Sequence, residues 1–136
     1  MNYEEFCTYE QAEHLKELGF DWKCVGFYNK YKIATIEHDM GWDGGMIIEE
    51  NYNNAFLANN YDVLCSAPTL AQAQHWMLEK FGLWIEVTRD TIETKRFSCG
   101  INHADDVYRE WVGMFDNIFD ALSKGIDKAL ELLKEQ

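Results

Sequence analysis

A helix-opening pattern occurs twice in this chain, and each time a glycine closes it. Thr8-Tyr9-Glu10-Gln11-Ala12-Glu13-His14 is echoed by Thr69-Leu70-Ala71-Gln72-Ala73-Gln74-His75, and the runs end on Gly19-Phe20 and Gly82-Leu83. A threonine with glutamine three residues later is a capping box. The hydroxyl accepts the backbone N–H of the third helical residue, and the glutamine side chain accepts the N–H of the cap. Glycine just past the last turn supplies the left-handed residue that ends a helix. The pattern predicts helices over Tyr9–Leu18 and Leu70–Phe81, each opening its own unit.

After each helix the apolar period changes. Cys24–Tyr28 and Tyr31–Ile36 are rich in strand-forming residues around an Asn29-Lys30 turn, and Met46-Ile47-Ile48 reads as a further short strand. Behind the second helix, Trp84–Arg89 alternates, with Ile85 and Val87 on one side and Trp84, Glu86 and Thr88 on the other. Lys95–Ile101 and Val107–Phe115 read as strands, the latter placing Val112 and Met114 opposite Trp111. A third helix is expected from a cap at Asp116 or Asn117 to Lys134. Its stripe is Ile118, Leu122, Ile126, Ala129 or Leu130, and Leu133, and Gly125 interrupts it at a cost of about 1 kcal/mol against alanine. That cost implies a close backbone approach.

The expected class is α+β: an antiparallel sheet of about five strands with three helices packed mainly on one face, in the order α-β-β-(β)-α-β-β-β-α. The near-repeat suggests pseudo-symmetric halves. One domain of 136 residues is expected, built from a helix-plus-hairpin unit over 1–66, a helix-plus-strands unit over 67–115 and a C-terminal helix over 116–136.

Charge narrows the function. The chain holds 24 acidic and 12 basic residues, a net of −12, with twelve acids against four bases in residues 1–68. A phosphate backbone would be repelled, so direct nucleic-acid binding is not expected. The N-terminal Met1–Phe6 lacks the basic start and apolar run of a secretion signal, and no apolar stretch has membrane-spanning length. Cys7, Cys24, Cys65 and Cys99 are scattered and never form a Cys-x-x-Cys pair, which reads as free thiols in a cytoplasmic protein.

The stretch Cys65-Ser66-Ala67-Pro68-Thr69-Leu70-Ala71-Gln72-Ala73-Gln74-His75-Trp76-Met77, with Glu79-Lys80-Phe81-Gly82-Leu83, resembles a family of small proteins encoded in gut-anaerobe bacterial genomes and their prophages. Gly19-Phe20-Asp21-Trp22, Lys80–Val87 and Ala121–Leu132 match further elements of that family. The resemblance covers about half the chain, implies kinship, and brings no catalytic residue with it.

Three constellations invite chemistry. Counting Asp39 as the first position of Asp39–Glu50 puts Asp43 at position 5, Gly44 at 6 and Glu50 at 12, as in a calcium loop. Gly41 leaves position 3 without a ligand, and a strand stands where a helix should enter. Cys99 and His103 lie four residues apart near Asp105-Asp106, and Cys65-Ser66 precedes a helix start that would lower a thiol pKa. No phosphate-cradling glycine loop, nucleophile elbow or His-Glu-x-x-His motif is present, so neither cofactor nor catalysis is expected. Trp76 sits beside the apolar stripe of its helix and Trp84 on the polar side of its strand, which places both at a partly exposed surface. Ordinary core and edge packing accounts for most such aromatics, and an interaction surface at Trp76 and Trp84 is the alternative. These features favour a non-catalytic module with a protein partner, a homodimer included and a membrane excluded. The alternatives are an acidic decoy that mimics nucleic acid, and a small-ligand or calcium-binding module.

Overall fold

A computed structural model describes residues 3–36, 38–39, 46–47, 49–54, 62–89, 95–103 and 109–134. The class is α+β. The chain divides into two compact units, Met1–Thr69 and Leu70–Gln136.

The first unit begins with a single 3-10 turn, Tyr3–Glu5, and helix α1, Tyr9–Glu17. The capping box is complete: Thr8 Oγ1 accepts from Gln11 N at 3.2 Å, and Gln11 Oε1 accepts from Thr8 N at 2.8 Å. At the other end Phe20 N donates to Leu15 O and Gly19 N to Lys16 O, with Gly19 at φ +97°. That is a Schellman motif, and its two apolar members, Leu15 and Phe20, are both buried.

Strands β1 (Gly26–Asn29), β2 (Ala34–Ile36) and β5 (Val63–Ser66) form an antiparallel sheet in the order β2-β1-β5. Between them β3 (His38–Asp39) pairs with β4 (Met46–Ile47) as a separate two-stranded ribbon. β1 is covered on both faces. Tyr28 packs with Ala12, Cys65 and Ala67, while Phe27 packs with Tyr52 and Val63.

The second unit runs α2 (Leu70–Phe81), β6 (Leu83–Arg89), β7 (Phe97–His103), β8 (Arg109–Phe115) and α3 (Ile118–Lys134). Gly82, at φ +69°, ends α2 by donating to Leu78 O, a simpler αL cap than that of α1. Asn117 caps α3: its Oδ1 accepts from Asp120 N and its amide donates to the Asp120 carboxylate, both at 2.8 Å. The strands form an antiparallel meander, β6-β7-β8.

α3 lies on the face that carries Ile85, Cys99 and Ile101. A Cβ on Gly125 would stand 2.7 Å from Cys99 Sγ and closer still to Ile85 Cγ2, so the helix backbone touches the sheet there, as the glycine's cost implies.

Two expectations need correction. The main strands make two three-stranded sheets instead of one sheet of about five. The strand that completes the first sheet, Val63–Ser66, is absent from the expected order, because a four-residue buried run carries no periodicity. In β8 the register shifts so that Gly113 opposes Cys99 while Trp111 opposes Gly100. Val112 is the extra residue of a β-bulge, and the bulge brings Trp111 and Met114 to the same face, not to opposite ones.

Candidate functional site

The candidate nucleophiles lie in the interior. All four cysteines are free and buried. Burial pushes the Cys65 thiol up to about 12 against the smaller opposing pull of Lys16, so Cys65 lacks the lowered pKa expected ahead of a helix. Burial likewise lifts Cys24 to about 12. The Ser66 hydroxyl has no well-formed hydrogen bond among the described residues, but it faces the Cys24 thiol and offsets part of that rise.

Cys99 and His103 share strand β7, where four residues of extended chain separate them by about 13 Å. They cannot hydrogen-bond to each other. The thiols that burial raises are Cys24 and Cys65, and a raised pKa keeps a thiol in its unreactive protonated form.

For the calcium-loop candidate, Asp43 lies outside the described residues, as do Asp105 and Asp106. Asp39 pairs with Met46 through the backbone, and Ala34–Ile36 is strand β2, so a hairpin frames the segment where a calcium loop would have an entering helix. Glu50 is exposed, and its backbone bridges to Cys24. Among the described residues no group of three or more His, Cys, Asp or Glu side chains converges to hold a metal. None of the helices among them is long and apolar enough to cross a membrane.

The aromatic candidates separate. Trp76 is buried, only 3% exposed, with its ring edge-on to Phe81 at 5.5 Å. The expectation of exposure there is corrected: the apolar face of α2 is wider than the stripe through Leu70, Ala73, Met77 and Phe81, and it turns toward Trp76 and away from Leu78, which is 40% exposed. Trp84 is half-buried, edge-on to the exposed His75 ring at 5.9 Å. His75 Nδ1 contacts Ala71 O at 2.7 Å.

The residue that sequence reasoning passes over is Trp111. It is 57% exposed and stands on the face of the meander away from α3, in the cross-strand row Glu86–Gly100–Trp111. In the next rows are Trp84 with Asn102, and Thr88, Ser98 and Met114. Asn102 Nδ2 donates to Glu86 Oε2 at 2.8 Å, fixing the polar part of this surface. The one signal for it is Gly100, a strand glycine whose missing side chain leaves room for a large ring opposite it.

Charge differs between the helices. On α1, Glu10, Glu13 and Glu17 are all exposed, spaced by about 4.5 and 6 Å of helical rise. On α3, charges alternate in sign, and Lys128 reaches Glu110 at 3.8 Å and Glu131 at 3.6 Å. Comparison with protein-family models, curated proteins and solved structures finds no match.

Proposed function

We propose that this chain is a non-catalytic protein-interaction module whose binding face is the Trp111 side of the β6-β7-β8 meander. The observation that carries the reading is the Trp111 ring, held 57% exposed on an ordered sheet face whose other side is packed by α3. Exposed tryptophan on a rigid platform is the side chain that most often anchors a protein interface. Glu86 and Asn102 supply a fixed polar rim beside it. Deep burial of the four thiols favours binding over covalent chemistry. Free thiols also suit a reducing compartment, and on that ground we assign the protein to the cytoplasm.

The test is affinity capture from host cells with the native chain and with Trp111→Ala, which removes an exposed ring and leaves the core intact. A partner retained by the native chain and lost with the variant supports the reading. An identical set of captured proteins, or none, ends it.

A second reading rests on the α1 carboxylate row Glu10, Glu13 and Glu17: an acidic decoy that occupies a basic, nucleic-acid-binding protein, as prophage kinship would suit. It expects capture that weakens steeply with salt and fails in Glu10→Gln/Glu13→Gln/Glu17→Gln, with Trp111→Ala having no effect.

A further inference from the structure

We propose that the tip of the β1–β2 hairpin and the first turn of α1 form one self-complementary surface through which two copies of this chain pair about a twofold axis. The tip is built to be rigid. Asn29 Oδ1 accepts from Tyr31 N at 2.9 Å and from Ile33 N at 3.2 Å, Asn29 O accepts from Lys32 N at 2.8 Å, and Asn29 N donates to Ile33 O at 3.1 Å. Lys32 takes the left-handed conformation, φ +63°, that closes the turn. The side chains this fixed loop holds out are apolar: Tyr31 is 70% exposed and Ile33 59%. Two large hydrophobic side chains kept in water by an ordered turn have already met most of the ordering cost of association.

Charge selects the occupant. Lys30 and Lys32 are two of the four cations in residues 1–69. Lys32 Nζ lies 5.0 Å over the ring of Tyr9 in the first turn of α1. Glu10 and Glu13 are exposed near the same ring, close enough for their charges to act on the Tyr9 hydroxyl. Lys32 thus joins the hairpin tip, with its apolar pair, to the first turn of α1 and its carboxylates. A uniformly basic partner would meet Lys30 and Lys32, and a uniformly acidic one would meet Glu10 and Glu13. A second copy turned through half a revolution meets each sign with its opposite and stacks Tyr31 and Ile33 on their counterparts, which is what an isologous interface requires. The contact of Lys30 with Asp62, 3.8 Å between exposed groups, is weak enough to yield to it. The patch is small beside the about 800 Å² per partner of a standard interface, so the dimer is weak and concentration-dependent.

This inference is independent of the Trp111 reading. Sedimentation velocity of the full chain over rising concentration, to about 100 μM, reads it directly, since a dimer with a micromolar dissociation constant is then mostly formed. Reversible dimers that loosen as salt rises are expected. Tyr31→Ser/Ile33→Ser is expected to weaken dimerisation at least about tenfold, the loss typical of removing a central anchor. Lys30→Glu/Lys32→Glu and Glu10→Lys/Glu13→Lys are each expected to be monomeric alone and to pair when mixed. Unchanged far-ultraviolet circular dichroism of each variant excludes misfolding. A monomer at the highest concentration, a dimer indifferent to the tip variants, or no pairing on mixing overturns the proposal.

Discussion

The two units solve the same problem, a helix laid on a three-stranded sheet, by different means. In the second unit the strands are seven residues long and the register is regular over most of their length. Apolar contact is reinforced there by Gln74 Nε2, which donates to Ile85 O at 2.7 Å, and α3 comes close enough for Gly125 to touch Ile85 and Cys99. In the first unit the strands are three or four residues long, and polar side chains hold what a short ladder cannot. Asn53 spans from Phe20 O to Ser66 N, Lys16 Nζ donates to Leu64 O at 2.7 Å, and the buried Tyr28 hydroxyl donates to Cys7 O. Short strands leave backbone groups unpaired, and each buried one needs a partner. Where the ladder is long, burial does most of the organising; where it is short, specific hydrogen bonds take a larger share.

The contrast breaks most visibly at high pH. Burial raises Cys24 from 9.0, Cys65 from 9.0 and Tyr28 from 10.0, each to about 12, and all three lie in the first unit. A raised folded-state pKa gives stability that is complete below the unfolded value and drains away as pH climbs through the folded one. The first unit should therefore keep its fold to about pH 9 and lose it between there and about 12. Hydrogen exchange and near-ultraviolet circular dichroism track the transition, and Cys24→Ala/Cys65→Ala should move the midpoint upward. Simultaneous alkaline melting of residues 83–103, or a midpoint unmoved by the double variant, contradicts the assignment.

Next in size is Gly125. In an open helix, glycine to alanine gains about 1 kcal/mol. Here the added methyl would sit 2.7 Å from Cys99 Sγ and closer to Ile85, so overpacking should reverse the sign and cost about 2–3 kcal/mol. Urea denaturation reads this directly, and a stabilised Gly125→Ala would show that α3 does not press on the sheet. Cys99→Ala in the same background should recover part of the loss, because it removes one of the two obstructing groups.

Much of this architecture is legible in the residues. The capping box of α1, the ends of all three helices and the alternation of β6 obey local rules whose partners lie within a few positions. Gly125 advertises its contact because a glycine inside an amphipathic helix needs a reason. Val63–Ser66 does not, since a short buried run reads alike as strand or helix and only its pairing with Tyr28 and Phe27 decides. A single inserted residue hides the true face of Trp111, since a bulge exchanges the faces of a strand and leaves no sign in its composition. The candidate chemistry is less legible still. Cys99 and His103 are neighbours in sequence, and only an extended backbone shows that they are out of reach.

The polar latch of the first unit gives the third prediction. Asn53 Nδ2 donates to Phe20 O and its Oδ1 accepts from Ser66 N, both at 2.8 Å. Asn53→Ala strands both backbone groups and should cost about 2 kcal/mol. Asn53→Asp keeps the acceptor for Ser66 but loses the donor to Phe20, so thermal unfolding should place it between the native chain and Asn53→Ala. Equal stability of all three would mean that the short sheet holds itself without the latch.

The smallest effect is the most discriminating, because it compares two glycines that the sequence writes identically. Gly19 sits at φ +97° and Gly82 at φ +69°. The left-handed helical basin centres near +57°, and asparagine enters it more readily than other side chains. Gly82→Asn should therefore cost only a few tenths of a kcal/mol in backbone strain, whereas Gly19→Asn should cost about 1 kcal/mol. Nothing lies within 4 Å of a Cβ built on Gly19, so that penalty is conformational and a smaller side chain would not relieve it. Gly19→Ala should lose at least as much as Gly19→Asn in the same melting experiment. If the two asparagine variants proved equally stable, the Schellman turn of α1 and the αL cap of α2 would be energetically equivalent, and the near-repeat would extend from spelling to geometry.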